Sequence, residues 1–228
     1  MHESKLLMDI FFNPEVIPSY VSYAFLASLL LIVIALIVRS SLKLVPTGTQ
    51  NVVETIIEAL LNLAEENIGH HWARPLFPLL ATLALFIAVC NFMGLIPGFV
   101  SPTANINTNA AMAIPVFLAT HVYGIRVHGL GYIKHFLGPI RSIFALPLMI
   151  LMFVIEFIGH IARPLTLSVR LFGNMVAKHY IIGVLGILSP AIVPVAILVL
   201  GVLVSVIQAF VFTLLTALYL AGAVEEAH

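Results

Sequence analysis

Long apolar segments, separated by shorter polar ones, run through most of the chain. About 20 consecutive apolar residues allow a helix to cross the hydrocarbon core of a membrane. Three of the segments have roughly that length and contain few charges. The pattern therefore predicts single membrane-spanning helices at residues 21–38, 76–96 and 110–127.

A much longer apolar run follows, from Ser142 to Ala223. It is far too long for one crossing, and Gly186 and the Ser189-Pro190 pair interrupt it, so we expect two helices. These helices are predicted at 142–185 and 191–223. An upright helix of such length exceeds the bilayer thickness, so we expect a strongly tilted hairpin. The total is five membrane helices.

One further segment, residues 48–68, has the pattern of an amphipathic helix rather than of a membrane span. Apolar residues recur there every three or four positions, and the opposite face carries Glu54, Glu58 and Glu65. Helices that lie on lipid favour Lys and Arg on their polar face. Three interpretations remain open: docking of this acidic face against another protein, lying on lipid, and simple coverage of the helix bundle.

The composition indicates the fold class, an all-α polytopic membrane protein. Hydrophobic residues make up 61% of the chain and charged residues 9%, whereas soluble domains have roughly a quarter charged residues. The formal net charge of zero argues against a nucleic-acid partner. The sequence contains neither a glycine-rich phosphate loop nor a metal-binding His/Glu motif, so we expect no bound nucleotide, cofactor or metal. We expect one domain over 1–228.

The basic residues predict the orientation of the chain in the membrane. Lys and Arg concentrate in cytoplasmic loops. Only Lys5 precedes the first predicted span, and the basic residues of the connecting segments fall after the first and the third spans: Arg39, Lys43, Arg74, Arg126, Lys134 and Arg141. We therefore expect the N-terminus outside and the C-terminus in the cytoplasm, as five spans require.

The most informative polar residue is Arg170, which lies in the middle of the fourth predicted helix. A charge at bilayer depth costs about 3 kcal/mol or more, so such residues usually serve a function. Arginine is not deprotonated in proteins and cannot pass a proton along a relay. Arg170 is therefore predicted to act as a fixed positive charge in an ion path.

Other polar residues share the fourth helix with Arg170. Glu156, Arg163 and Arg170 follow one another at intervals of seven residues, which places them on one face, and Asn174 lies one turn further. His179 comes nine residues after Arg170 and points to the opposite side. The helix thus carries a polar stripe in its cytoplasmic half and a titratable group in its outer half.

Several of these residues have more than one interpretation. Glu156 either forms a structural ion pair with His160 or Arg163 or borders a water-filled path. We expect Arg163 and Lys178, near the two ends of the membrane depth, to extend to the interfaces. Gln208, on the last helix, is predicted to face Arg170 and to orient water or a neighbouring group by hydrogen bonding.

The motif Arg170-Leu-Phe-Gly-Asn-Met, with Arg163-Pro-Leu before it and Gln208-Ala-Phe-Val-Phe after it, resembles subunit a of the F-type ATP synthase. The similarity extends in order to residues 91–97, 102–107 and 221–226. It implies a proton-conducting stator that is not an enzyme by itself. Its partners would be a rotating ring of c subunits, the b subunits of the peripheral stalk and the rest of the complex, in a bacterial inner membrane.

The resemblance also implies roles for single residues. Arg170 matches the essential arginine between two offset half-channels, and Gln208 a position beside it. Asn174 and His179 match the outer half-channel, and Glu156 the cytoplasmic exit. The chain departs from the family pattern at two positions, because Gly201 stands where many relatives have a titratable residue and Lys178 where a small residue is usual.

Two other functions compete with the stator. A secondary ion-coupled transporter would usually show inverted repeats, and the two halves of this sequence show none. A purely structural subunit would leave Arg170 unexplained. The choice between protons and sodium ions stays open, because the ring carries the carboxylate that binds the ion.

Overall fold

The regular secondary structure of the described residues is entirely helical. The computed structural model describes residues 17–40, 42–43, 46, 48–96, 98–132, 146–188 and 192–224, and this part of the chain contains no strand. Its helices are α1 (Ser19–Ser40), α2 (Thr49–Ile68), α3 (His70–Met93), α4 (Ile106–His128), α5 (Leu146–Leu188) and α6 (Ile192–Val224). Two short 3-10 turns accompany them, at Pro102–Ala104 and Gly129–Gly131.

The predicted fold class is confirmed. Among the described residues, five helices are long and apolar enough to cross a membrane, namely α1, α3, α4, α5 and α6. The amphipathic helix predicted at 48–68 is α2. The predicted start of the fourth membrane helix at 142–145 lies outside the described residues, as does its predicted break at Ser189 and Pro190.

Two helices begin earlier than the pattern predicted. α3 starts at His70 rather than at residue 76, because Gly69 alone separates it from α2 and adopts a φ of 84°, which suits glycine. α4 starts at Ile106 rather than at residue 110, because the Asn105 side chain accepts a hydrogen bond from the Asn107 backbone N–H and caps the helix. Local chemistry at the helix ends therefore lengthens both spans.

Antiparallel packing of the long helices builds the core. α3 and α6 contact each other through Leu76 and Leu80 on one side and Ala217 and Leu220 on the other. α4 packs in the same way along the first half of α5, and their contact buries Val116. α2 and α1 lie at the periphery and contact α3. The bundle consequently centres on α3, α4, α5 and α6.

A buried polar network joins the C-terminal end of α3 and the N-terminal end of α4 to the middle of the two long helices. It consists of Asn91, Ser101, Thr103 and Asn109, all fully buried. The Thr103 hydroxyl donates to Asn91 Oδ1 at 2.7 Å and contacts Ser101 Oγ at 2.7 Å, and Asn109 Nδ2 donates to the Thr103 carbonyl at 2.9 Å.

Longer bonds extend the buried polar network to the long helices. The Asn91 side chain donates to the Ser205 carbonyl of α6 and the Asn109 side chain to the Ser168 carbonyl of α5, each at 3.4 Å. Four helices are thus held in one register by side-chain amides.

Replacing Asn91 by leucine is expected to destabilise the protein by about 1–3 kcal/mol, because Thr103 and the Ser205 carbonyl lose a buried partner. The measurement is unfolding in detergent micelles with increasing SDS. The control is Thr82→Ala, since Thr82 is exposed and bonds only to the Pro78 carbonyl of its own helix. Equal stability of the two variants would contradict a structural role for the network.

Candidate functional site

α5 carries the predicted polar stripe as one continuous helix, since it continues through Pro164. The hydroxyls of Thr166 and Ser168 bond to carbonyls of the preceding turn, at Arg163 and Pro164. Glu156, Arg163 and Arg170 therefore remain on a single element, as the sequence predicted.

Arg170 lies on the exposed surface of α5. The described part of the chain offers its guanidinium neither a hydrogen-bond partner nor a carboxylate within 4.0 Å. The residues around it are apolar and include the exposed Val169 and the buried Leu171. A fixed cation in such surroundings can attract a carboxylate that approaches from outside the chain.

A short hydrogen bond connects α5 to α6 one turn beyond Arg170. Asn174 Nδ2 donates to Gln208 Oε1 at 2.6 Å, and Gln208 is 4% exposed. The prediction placed Gln208 beside Arg170, whereas the hydrogen bond of its side chain is with Asn174. Both amides are polar and neither titrates, so this bridge is suited to orienting water.

His179 lies further along α5 and is exposed. Its Nδ1 atom is 2.8 Å from the Met175 carbonyl oxygen. A carbonyl only accepts hydrogen bonds, so Nδ1 carries a hydrogen and Nε2 is left to exchange a proton.

Lys178 does not extend to the membrane interface, and that expectation was wrong. Its side chain is only 7% exposed, and its Nζ atom is buried without a hydrogen-bond partner among the described residues. Gly201 of α6 leaves room for it, because a Cβ at that position would lie 3.4 Å from Lys178 Cδ and 2.7 Å from Leu95 Cδ2. The two departures from the family pattern are therefore one packing contact.

A cavity of about 220 Å³ opens between the ends of α4, α5 and α6, and we call it the α4–α6 cavity. It has space for several water molecules. Its wall is mostly polar or titratable and is formed by Thr120, His128, Tyr132, Glu156, His160, Arg163, Leu218, Tyr219, Gly222 and Ala223.

Glu156 is paired and also lies in the wall of the α4–α6 cavity. One carboxylate oxygen lies 3.4 Å from His160 Nδ1 and 3.9 Å from Arg163 Nη2, so the residue is paired. The same carboxylate borders the cavity. The guanidinium carbon of Arg163 lies 5.2 Å from the centre of the Tyr219 ring, and extension of Arg163 to the membrane interface stays a prediction.

Sequence reasoning missed His128 and Tyr132 in the cavity wall. His121 lies outside that wall but precedes His128 by seven residues on the same face of α4, which was an available signal. Tyr132 gave no signal: it folds back onto Gly124, where a Cβ would lie 2.4 Å from its ring. Burial raises the pKa of the Tyr132 hydroxyl. Within the described ranges, no three His, Cys, Asp or Glu side chains are grouped to hold a metal.

Comparisons with known proteins find relatives over most of the chain. A family model described as ATP synthase A chain matches residues 21–221. The chain is 51% identical to ATP synthase subunit a 1 of Pelobacter propionicus and 50% identical to ATP synthase subunit a of Geobacter sulfurreducens. It is also 50% identical to ATP synthase subunit a of Trichlorobacter lovleyi. Each similarity covers 91% of this chain and 88% of the relative.

The contact between Lys178 and Gly201 predicts the effect of Gly201→Val. The added methyl groups overlap Leu95 and the Lys178 stem, so we expect a loss of about 1–3 kcal/mol and displacement of the ammonium group into water. Labelling with a water-soluble amine reagent, read by mass spectrometry, should modify Lys178 in this variant but not in the wild type. Gly183→Val is the control, because Gly183 has open space around it. Equal labelling of wild type and variant would contradict the contact.

Proposed function

The chain belongs to the ATP synthase A chain family, the proton-channel subunit of the Fo sector, and we propose that it conducts protons through two offset half-channels separated by Arg170. It is a multi-pass membrane protein of the ATP synthase complex. The observation that carries the proposal is the exposed guanidinium of Arg170, which has no ion-pair partner in the described part of the chain.

Arg170 acts on a carboxylate of a rotating c-subunit ring. At a separation of about 4 Å and an effective dielectric constant of about 20, the attraction is about 4 kcal/mol. Such a neighbour lowers the pKa of a carboxylic acid by about 1–3 units, so the ring group gives up its proton as it approaches the arginine. The same charge repels a proton that would pass directly between the half-channels.

The outer half-channel follows the second half of α5. His179 exchanges protons through Nε2, and the bridge between Asn174 and Gln208 orients water on the way to the ring. The exposed apolar surface of α5 and α6 around Arg170, including Val169 and Phe210, faces the ring or lipid. This arrangement gives incoming protons access to the middle of the membrane without contact with the cytoplasm.

The cytoplasmic half-channel is the α4–α6 cavity, with Glu156 in its wall. Arg126 and His128 end α4 beside this cavity, which is consistent with a cytoplasmic mouth. In this orientation the N-terminus is outside and the C-terminus is in the cytoplasm of a bacterium, with the protein in the inner membrane. Opposite ends of α5 thus serve opposite sides of the membrane.

The remaining parts of the proposal concern partners and catalysis. The chain is one domain that binds no nucleotide, and ATP is made by other subunits. The b subunits of the peripheral stalk hold it still, and the exposed acidic residues Glu54 and Glu58 of α2 offer them a surface. Nothing in the structure specifically favours the alternative of a secondary transporter.

Arg170→Ala is expected to abolish proton-driven ATP synthesis while the complex still assembles, because the ring carboxylate loses its fixed counter-charge. Inverted membrane vesicles provide the measurement, with subunit content as the check on assembly. Arg39→Ala, at the exposed end of α1, is the matched control and should couple normally. Normal coupling in Arg170→Ala would refute the proposed role.

His179→Ala is expected to slow passive proton conduction about tenfold or more, because a positioned proton-transfer group is lost from the outer path. The rate is measured in vesicles stripped of the catalytic sector. Tyr180→Ala serves as the control, since Tyr180 is the adjacent residue and is 72% exposed. A wild-type rate in His179→Ala would remove His179 from the path.

A further inference from the structure

Two imidazoles lie between Arg170 and the α4–α6 cavity, and we call them the histidine pair (His121 and His160). Their ring centres are 5.3 Å apart and the rings are nearly perpendicular. A smaller space of about 10 Å³, close to the volume that one water needs, borders both rings and Leu167. Leu167 precedes Arg170 by about one turn of α5.

The small space and the α4–α6 cavity have part of their walls in common. His160, Arg163 and Tyr219 border both of them. A proton released near Arg170 and moving toward the cytoplasm therefore meets the histidine pair before it reaches the larger cavity.

We propose that the histidine pair is the first proton acceptor of the cytoplasmic half-channel and passes each proton on to Glu156. This inference rests on the proposed function. The O–H bond of the ring carboxylic acid breaks and an N–H bond forms on an imidazole, directly or through one water. The proton then leaves that nitrogen for the Glu156 carboxylate or cavity water, so one proton enters and one leaves in each cycle.

The contacts of one ring nitrogen in each histidine give the pair a direction. His121 Nδ1 lies 2.9 Å from the Phe117 carbonyl oxygen, so it carries a hydrogen and leaves Nε2 as the accepting nitrogen. His160 Nδ1 lies 3.4 Å from Glu156 Oε1. The His160 ring thus has the small space on one side and a carboxylate that borders the cavity on the other.

Two groups of opposite charge lie beside the pair. The Glu156 carboxylate lies 3.4 Å from His160 Nδ1, and the Arg163 guanidinium lies 3.9 Å from the same carboxylate. Two positively charged imidazolium rings with centres 5.3 Å apart would repel each other, so the pair passes one proton at a time. The other titratable groups that face it in the described part of the chain are His128, Tyr132 and Tyr219.

The test measures passive proton conduction between pH 6 and 9 in vesicles that contain the whole membrane sector. His160→Gln should conduct about tenfold more slowly and lose the pH dependence of the wild type. His160→Glu restores a titratable group, so conduction should recover with its profile displaced to lower pH. A merely structural role of His160 predicts no such recovery. His71→Gln is the control, because His71 is exposed and lies outside both spaces.

Wild-type rates and pH profiles in both His160→Gln and His121→Gln would overturn the inference. If His160→Gln fails to assemble, His121→Gln decides by the same measurement, since loss of either ring breaks the relay. Arg170→Ala distinguishes failure of the histidine relay from failure of the proposed function. If it uncouples while the histidine variants behave as wild type, the proposed function stands and the relay is rejected, whereas normal coupling in Arg170→Ala rejects the proposed function.

Discussion

The absence of water from the hydrocarbon core is the constraint on which this structure depends. Every buried amide and hydroxyl there needs a partner inside the protein. The buried polar network satisfies most of these groups at the C-terminal end of α3 and the N-terminal end of α4, and it also reaches the backbone of both long helices. Apolar packing alone would allow α5 and α6 to slide past their neighbours, whereas bonds to Ser168 and Ser205 favour one position.

That position decides where the chemistry lies. Asn109 stands near the start of α4 and contacts Ser168 near the middle of α5. The first half of α5 therefore packs along α4, and the second half extends past its end. Arg170 is the second residue beyond this contact, so it lies where α5 ceases to pack against α4. The same register places the C-terminal end of α4 beside Glu156 and His160, and these residues together border the α4–α6 cavity.

Much of the fold follows from the hydrophobic pattern, because a segment of about 20 apolar residues has few structural explanations other than a membrane-spanning helix. Five membrane helices, the amphipathic α2 and the shared helix of Glu156 and Arg170 were predictable in this way. The first residues of α3 and α4 were harder to predict from the sequence, because a glycine with positive φ and an asparagine cap act over only one or two residues. Contacts between helices, such as Gln208 with Asn174, depend on register, which periodicity within one helix does not contain.

The contact between Lys178 and Gly201 also couples two positions of the sequence. A Cβ at position 201 would lie 2.7 Å from Leu95 Cδ2, which is too close, and 3.4 Å from Lys178 Cδ. A bulky residue there is therefore incompatible with the present packing of Leu95 and of the lysine stem. A larger side chain on α6 and a buried cation on α5 exclude each other in this packing, so we expect the two positions to vary together among related sequences.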